Sequence, residues 1–281
     1  MPRGPAAGHR RLHRPPIPPP GWWIGHDVRV DRSIPTSDVI EGDCLEVLSG
    51  MPNGGFALVY ADPPFATGST RRGRPRDGRP LGYEDRWGST TEYLGFLEPR
   101  LRAMHRVLAP DGAILVHVDW RTSHRVRCLL DDVFGPDRFV NHLVWHYGLG
   151  GSAADRFARK HDDILYYARG SDRWFDPPMV PATSRRMQGR LKKASDVLEV
   201  PSINNMAAER TGWPDQKPLA LLDLLVRACC PPEGRVLDPF CGSGTTLVAA
   251  VQSGRSALGI DRHPDAVAIA RRRLEDAPLA S

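Results

Sequence analysis

The tetrapeptide Asp62-Pro63-Pro64-Phe65 stands at the end of an apolar stretch, residues 57–61, that predicts a buried strand. A carboxylate and a neighbouring backbone carbonyl can both accept hydrogen bonds from an exocyclic amine. They thereby draw electron density back onto a nitrogen whose lone pair is delocalised into a ring. The two prolines stiffen the turn, and Phe65 offers an apolar face for stacking. The tetrapeptide therefore predicts a grip for a planar amine, although such a turn can also merely end a strand.

A glycine turn, Phe240-Cys241-Gly242-Ser243-Gly244-Thr245-Thr246, follows a second apolar strand that ends at Asp238. Its glycines let the backbone approach a ligand closely, and the helix that opens at Thr245 aims its amides at that ligand. The turn lacks the lysine of a P-loop and the third glycine of the dinucleotide fingerprint, which argues against nucleotide hydrolysis and hydride transfer. Asp261 ends the next strand, where an acid can accept from ribose hydroxyls or can simply cap a helix. Together these features favour a ribose-bearing cofactor.

The composition is that of an ordinary globular protein, with 281 residues of which 41% are hydrophobic and 25% charged. No run approaches the roughly 18 apolar residues of a membrane span, and the start has no apolar signal core. We therefore expect a cytoplasmic protein without a membrane partner. The five cysteines have no C-x-x-C spacing and are odd in number, which fits neither a disulfide framework nor a metal site.

The net charge of +5 and the pI of about 9.1 come almost wholly from arginine, which suits phosphate and guanine contacts better than lysine does. An arginine-rich composition can equally reflect a GC-rich genome. Charge alone therefore leaves nucleic-acid binding undecided, because net charge governs association and not fold.

Strands and helices alternate along most of the chain, and the strands are apolar on both faces, which predicts a doubly wound, mostly parallel α/β sheet. Ligands of such sheets bind at the carboxyl ends of strands, where Asp62 and Asp238 both stand. Residues 66–90 show neither helical nor strand periodicity, which predicts a long flexible loop. The chain then divides into five parts. We expect a basic Pro- and Arg-rich arm that has little to pack and is disordered (1–36), a half that carries Asp62 (37–146), a small inserted recognition segment (147–210), a half that carries the glycine turn (211–276) and a tail (277–281).

Two further motifs accompany these: Thr67-Gly68 follows the tetrapeptide, and Gln216-Lys217-Pro218 precedes the glycine turn. With the motifs in this order, the chain from about residue 39 to about residue 274 resembles the bacterial DNA amino-methyltransferases of the β arrangement, in which the catalytic motif precedes the cofactor motif. The resemblance leaves out the arm and the segment from about 170 to 210. The resemblance implies a Rossmann-like fold. It also implies an enzyme that transfers a methyl group from S-adenosylmethionine to the exocyclic amine of a base flipped out of duplex DNA.

The resemblance assigns roles to individual residues. The catalytic tetrapeptide is Asp62, Pro63, Pro64 and Phe65, with the Pro63 carbonyl as the second acceptor. The residues assigned to the cofactor are Asp43, Lys217, Pro218, Asp238, Phe240, Gly242, Gly244, Thr245 and Asp261. Among these, Asp43 matches the acid that contacts the adenine amine of the cofactor, and Asp261 matches the acid that contacts its ribose. Lys217 and Pro218 match the element that approaches its methionine end.

Two positions are less clear. Trp145 stands where the family has an aromatic residue beside the target base, and it is equally well explained as a buried strand tryptophan. Ala66 departs from the family pattern, because an Asn often stands between the tetrapeptide and Thr-Gly. That departure puts a loop hydrogen bond in question and leaves the reaction untouched.

Duplex DNA is the implied partner, and basic residues of 66–90 and of the inserted segment are the expected contacts with phosphates and bases. They are Arg71, Arg72, Arg74, Arg76, Arg185, Arg186, Arg190, Lys192 and Lys193. A cognate restriction enzyme and a homodimer are compatible with the family, but no residue points to either. The enzyme is expected at the nucleoid.

The target base is left open between adenine N6 and cytosine N4. Asp62 favours adenine, because the cytosine-N4 enzymes of the family more often begin the tetrapeptide with Ser. No Pro-Cys-Gln motif occurs, so the cysteine nucleophile needed for methylation of a cytosine ring carbon is missing. Two other interpretations stay open. One is a DNA-binding subunit with a decayed methyltransferase fold. The other is a methyltransferase that acts on protein glutamine or RNA, although those enzymes usually carry Asn before Pro-Pro and place the cofactor motif first.

Overall fold

The computed structural model describes residues 37–73, 81–148, 152–182, 184–204 and 206–278. The helices are α1 (Cys44–Ser49), α2 (Thr90–Val107), α3 (Ser123–Phe134), α4 (Leu219–Cys229), α5 (Thr245–Gln252) and α6 (Pro264–Glu275). The strands are β1 (Ser37–Glu41), β2 (Phe56–Ala61), β3 (Ser69–Arg72), β4 (Gly82–Asp85), β5 (Leu108–Val118), β6 (Phe139–His146), β7 (His161–Ala168), β8 (Met179–Pro181), β9 (Leu191–Lys193), β10 (Val197–Glu199), β11 (Arg235–Asp238) and β12 (Ser256–Asp261). The predicted arm at 1–36, Arg74, Arg76 and the last three residues of the predicted tail lie outside the described residues.

Eight strands form the central sheet, in the order β1-β12-β11-β2-β5-β7-β6-β10. Neighbours are parallel except at β7, which runs antiparallel to both β5 and β6. The prediction of a doubly wound, mostly parallel sheet is therefore confirmed.

The feature that builds the site is the pairing of β11 with β2, two strands that are far apart in the sequence. Val236 lies opposite Leu58, and Leu237 lies opposite Val59. Because the two strands are parallel, their carboxyl ends meet at the same edge of the sheet. That edge brings together Asp62, just past β2, and Asp238, the last residue of β11.

Strand β2 shows why the sheet is covered on both faces. Leu58 and Tyr60 pack with residues of α4 and α5, whereas Val59 and Ala61 pack with residues of α2 and α3. All four side chains are essentially inaccessible to solvent. Burial of each large apolar side chain contributes about 1.5–3 kcal/mol, so the strand can lie only at the centre of the sheet. This packing fixes the direction in which β2 delivers the tetrapeptide 62–65.

The prediction of a long flexible loop at 66–90 is wrong, because β3 and β4 form an antiparallel hairpin there. The strands are short and polar, so they lack the apolar alternation by which a strand is recognised in a sequence. Ser69 pairs with Asp85 and Arg72 pairs with Gly82 at the two ends of the described hairpin.

The predicted inserted segment at 147–210 is not separate from the sheet. Strand β7 arises within it and lies between β5 and β6, where Ile164, Leu165, Tyr166 and Tyr167 are buried. Strand β10 adds to the far edge of the same sheet, whereas β8 and β9 pair with each other in a hairpin outside it. Across the described ranges, no helix combines the length and the apolar character needed to cross a membrane.

Candidate functional site

A cleft opens at the edge of the sheet where β2 and β11 end. It encloses about 980 Å³, including the part that is open to solvent. Both motifs contribute to its wall, and the predicted site residues that line it are Asp43, Asp62, Pro64, Lys217, Asp238, Phe240, Gly242, Thr245 and Asp261. The other four, Pro63, Phe65, Pro218 and Gly244, are chain neighbours of lining residues. The wall also includes Phe96 and Trp213, and a concave wall that combines aromatic rings with a few polar groups is typical of a small-molecule site.

One carboxylate oxygen of Asp62 accepts a hydrogen bond from the protein, and the other has no partner among the described residues. The buried ammonium of Lys217 donates to Asp62 Oδ2 and lies 5.0 Å from the centre of the Phe65 ring. Asp62 Oδ1 is also buried and has no hydrogen-bond partner among the described residues. A buried acceptor without a donor is unfavourable by about 1–3 kcal/mol, so this oxygen is suited to a ligand that brings an N–H group.

Phe65 is supported by a buried histidine that the sequence analysis did not single out. Its ring stacks on His117 with the centroids 5.6 Å apart and the planes 28° apart. His117 Nδ1 lies 2.7 Å from the Tyr60 hydroxyl, and Nε2 lies 3.3 Å from Asp162 Oδ2. Burial, reinforced by nearby carboxylates, raises the pKa of Tyr60, so the hydroxyl keeps its proton. The hydroxyl donates to Nδ1 in the tautomer of His117 that carries its hydrogen on Nε2, facing Asp162. This chain of contacts fixes the orientation of Phe65.

Trp145 lies on β6 and is buried. Its indole N–H donates to the Val200 carbonyl at 2.7 Å, and its ring meets His117 edge-on at 5.5 Å. Trp145 is not among the residues that line the cleft. The structure thus favours the interpretation of Trp145 as a buried strand residue, one that braces His117.

The loop after the tetrapeptide is held by Asp85 at the end of β4. Asp85 is buried and accepts from the backbone N–H groups of Ala66 and Thr67, each at 2.9 Å. It also accepts from the Thr67 hydroxyl at 2.7 Å and from the Trp87 indole at 3.1 Å. Ala66 has a φ of 56°, in the left-handed region that Asn tolerates better than Ala. The loop is therefore anchored without the Asn that the family often carries.

The glycine turn needs its glycines for conformation and for space. Gly242 and Gly244 have φ values of 49° and 77°. A Cβ on Gly242 would lie 3.0 Å from the Trp213 indole nitrogen, and one on Gly244 would lie 2.8 Å from the Ala270 Cβ. Any side chain at either position would disturb the wall of the cleft.

Asp261 ties the glycine turn to the end of β12. Its Oδ2 accepts from the Gly242 N–H at 2.9 Å, and its Oδ1 accepts from the His263 N–H at 2.8 Å. Burial raises the pKa of this carboxyl group. Each oxygen keeps a further lone pair, so Asp261 can still accept from ribose hydroxyls.

Asp238 is fully buried at the end of β11. Burial raises its pKa to about 7, and the nearby carboxylates of Asp62 and Asp261 act in the same direction. The N–H of Phe240, at 3.1 Å, and a hydrogen bond from Thr246 partly offset this rise. A cation bound beside Asp238 would favour its ionised form and so would offset this rise.

Asp43 is more engaged by the protein than the sequence suggested. It caps α1 by accepting from the Leu45 N–H at 2.8 Å, and its other oxygen pairs with Arg100 at 2.6 Å. The Arg100 guanidinium lies 3.7 Å from the centre of the Phe96 ring. The ring centroids of Phe96 and Phe240 are 6.5 Å apart, and both rings line the cleft.

Among the described residues that were predicted to contact DNA, one is ion-paired within the protein and the others are exposed to solvent. Arg71 pairs with Asp215, with Nε 2.7 Å from Oδ2, and Tyr83 donates to the same carboxylate at 3.1 Å. This link joins the β3–β4 hairpin to the segment that carries Lys217. The predicted residues that are solvent-exposed are Arg72, Arg185, Arg186, Arg190, Lys192 and Lys193.

Five residues that shape the site were missed by the sequence analysis: Asp85, Arg100, His117, Asp162 and Asp215. Only His117 carries a local signal, since it is a polar residue inside the apolar stretch at 113–118. The other four contact segments that are distant in the sequence, and the spacing of residues along the chain does not predict such contacts.

Comparison with known proteins gives a consistent result. The family model for DNA methylases of the N6/N4 type matches residues 56–272. The type II methyltransferase M.ScaI of Streptomyces caespitosus is 31% identical over 264 residues, which cover 85% of this chain and 82% of that protein. M.HpaI of Haemophilus parainfluenzae is 26% identical over 242 residues, which cover 84% of this chain and 74% of the relative.

Solved structures agree at the level of the fold. The PvuII DNA methyltransferase, described as cytosine-N4-specific, superposes with a TM-score of 0.65 at 18% identity and covers 85% of this chain and 88% of its own. The M1.HpyAVI–SAM complex superposes with a TM-score of 0.58 at 19% identity and covers 84% and 98%, respectively.

Proposed function

The chain belongs to the N6/N4 family of DNA methylases, and from that premise we propose that it methylates adenine N6 in duplex DNA at a specific sequence. Family membership establishes the class of reaction, which is transfer of a methyl group from S-adenosylmethionine to an exocyclic amine of a DNA base. The choice of adenine, the β arrangement and the roles of individual residues are proposals. The order of the motifs, with Asp62 before Gly242, supports the β arrangement.

The residues of the cleft fit S-adenosylmethionine. When bound, this cofactor supplies a methyl group carried on a positively charged sulfur. Asp261 would hold the ribose hydroxyls, Asp43 the adenine amine, and the turn through Gly242 the remainder of the nucleoside, with Lys217 and Pro218 towards the methionine end. The acidic surroundings of Asp238 suit a ligand with positive charge.

The observation that carries the proposal is the free, buried Oδ1 of Asp62. We assign this oxygen to one hydrogen of the target amine and the Pro63 carbonyl to the other. Lys217 holds Oδ2 and so keeps the carboxylate from rotating away. Phe65 stacks on the base, with His117 behind its ring. A base inside a duplex cannot reach a buried oxygen, so it must be flipped out of the helix.

Substitution of Asp62 tests these roles. We expect Asp62→Ala and Asp62→Asn to lower the rate of methyl transfer by at least about 10²–10³-fold, because the amine loses its charged acceptor. Binding of S-adenosylmethionine and of duplex DNA should survive in both variants. Asp132→Asn, an exposed change on α3, is the matched control and should leave the rate unchanged. Full activity of the Asp62 variants would overturn the assignment.

The identity of the target base can be tested separately from the mechanism of methyl transfer. Asp62 at the first position of the tetrapeptide supports adenine, by analogy with the family. Nucleoside mass spectrometry of duplex DNA methylated in vitro should show N6-methyladenine. N4-methylcytosine would overturn the choice of base and leave the amine chemistry intact.

We also propose that the segment 147–210, with the exposed basic residues of the β8–β9 hairpin, reads the DNA sequence. The type II designation of the relatives supports a cognate restriction enzyme, and the activity on DNA supports a place at the nucleoid in the cytoplasm. Methylome sequencing of a host that expresses the chain would report the recognised sequence. The mass of the purified protein in solution would show whether the chain forms a homodimer, which is compatible with the family.

A further inference from the structure

An exposed tryptophan with two arginines lies at the same sheet edge as the cleft. Trp120 follows β5, and it is 43% exposed. Strand β5 pairs with β2, with Val116 opposite Ala61, so Trp120 leaves the sheet on the side to which Asp62 is delivered. The Arg159 guanidinium lies 3.5 Å from the centre of the Trp120 ring, and the Arg121 guanidinium lies 4.9 Å from it. None of these three residues lines the cleft.

The two arginines differ in their partners. Arg121 pairs with the buried carboxylate of Asp119, which also accepts from the Arg121 backbone N–H at 2.8 Å. Arg159 is exposed and has no carboxylate within ion-pair distance in the described part of the chain. Its charge is therefore available, whereas that of Arg121 is largely neutralised.

The indole prepares Arg159 for an anion. A guanidinium that lies flat on an aromatic ring keeps its N–H groups in the plane, where two of them can reach one oxyanion. The ring also limits the rotamers of a long side chain, so less conformational entropy is lost when the anion binds. Because guanidinium groups already occupy the neighbourhood of the Trp120 ring, stacking of a nucleobase on this ring is the less favoured use.

We propose that Arg159, supported by Trp120, binds a backbone phosphate of the DNA beside the flipped base. The inference rests on the proposed function, and it adds a contact outside the basic residues expected from the sequence. A phosphate held at this edge would fix the register of the duplex next to the cleft without reading a base.

The test is the salt dependence of DNA binding by the full chain. A lost phosphate contact lowers the slope of log K against log salt by about 0.9, which corresponds to about fivefold weaker binding near 0.15 M salt. We expect this change for Arg159→Gln, measured with a duplex that the wild-type protein methylates. Arg227→Gln is the matched control. It removes the same charge from an exposed position on α4, outside the segment proposed to read DNA, where Arg227 is paired with Asp223 at 2.7 Å.

Two further variants separate charge from geometry. Arg159→Lys keeps the charge without the planar fork, and Trp120→Leu keeps the charge without the ring, so both should weaken binding while the salt slope stays near the wild-type value. All variants should keep the wild-type melting temperature and bind S-adenosylmethionine normally. An equal salt slope for Arg159→Gln and Arg227→Gln would overturn the inference. If the wild-type chain methylates no DNA, the proposed function itself fails, and the two failures are thereby distinguished.

Discussion

At the scale of single residues, Asp238 is the acid whose surroundings most alter its chemistry. It lies at the end of a central strand, out of contact with water, and shares the cleft with Asp62 and Asp261. Burial raises its pKa from 3.8 to about 7. In the folded protein Asp238 therefore holds a proton over a pH range in which the unfolded chain has released it.

This shift predicts a pH-dependent contribution to stability. A raised pKa in the folded state stabilises the protein fully below about pH 4, and the contribution is lost as the pH rises towards about 7. The loss is about 1.4 kcal/mol per pH unit within that window. Asp238→Asn removes the titrating group, so its free energy of unfolding relative to wild type should increase from about pH 5 to about pH 7. Urea unfolding at several pH values measures this difference.

A constant difference between the two proteins across this range would show that Asp238 does not titrate there. Asp132→Asn, at an exposed position, serves as the control and should follow the wild-type curve.

The sequence alone was enough to propose roles for residues within short motifs. It did not indicate which distant residues hold those motifs in place. Asp62, Gly242 and Asp261 are recognisable because each stands at a fixed place relative to a strand end or a turn. His117 and Asp85 act through contacts with residues that lie far away along the chain or across a hairpin. Such contacts follow from the packing of elements, which spacing along the sequence does not encode.

At the scale of elements, the β3–β4 hairpin links the two sides of the site. Asp85 at its end holds the loop after the tetrapeptide, while Arg71 and Tyr83 grip Asp215. Asp215 lies two positions before Lys217, whose ammonium contacts the Asp62 carboxylate. The hairpin therefore supports the tetrapeptide at two points: through the loop that follows Phe65 and through the segment that carries Lys217.

Asp85→Asn tests this role. An amide presents one acceptor oxygen and one NH₂ group, so at least one of the N–H groups of Ala66 and Thr67 would lose its partner. We expect the free energy of unfolding to fall by about 1–3 kcal/mol. We also expect kcat to fall while binding of S-adenosylmethionine is retained, because the glycine turn lies outside the hairpin. The matched control, Glu84→Gln, alters an exposed neighbour on the same strand and should leave kcat unchanged. Normal kcat in Asp85→Asn would show that the hairpin does not order the loop.

The same distinction applies to the strands. Some can be predicted from the local sequence pattern, and others are recognised only from their pairing in the structure. Strands β2 and β11 are short, apolar and buried on both faces, so their pattern predicts central strands. Strand β7 has a similar buried stretch but arises between polar segments, and only pairing with β5 and β6 places it in the sheet. The β3–β4 hairpin has no apolar face and left no pattern to detect.

At the scale of the whole molecule, the site depends on which strands are neighbours and not on their order in the chain. Strand β1 pairs with β12, and α6 packs beside β1, where the Arg271 guanidinium donates to the Val39 carbonyl at 2.6 Å. The first and last elements of the described structure are thus adjacent. A chain that begins elsewhere could therefore form the same sheet.

A circular permutant tests this statement. It would start at Asp172, run to Ser281, continue directly into Met1 and end at Ser171, which opens the chain between two exposed residues. The glycine turn would then precede the tetrapeptide. Since the strand neighbours are unchanged, we expect the permutant to fold and to methylate the same DNA sequence as wild type, as read by sequencing of modified DNA. A folded permutant that binds S-adenosylmethionine but methylates no DNA would show that motif order itself matters.

The single free oxygen on Asp62 also bears on how many methyl groups a base receives. The proposed grip needs two hydrogens on the amine, one for Asp62 Oδ1 and one for the Pro63 carbonyl. After one transfer the nitrogen keeps only one hydrogen, so one buried acceptor would stay unpaired, at a cost of about 1–3 kcal/mol. The once-modified base is therefore a poor substrate for a second round, and the enzyme should stop at the monomethylated product.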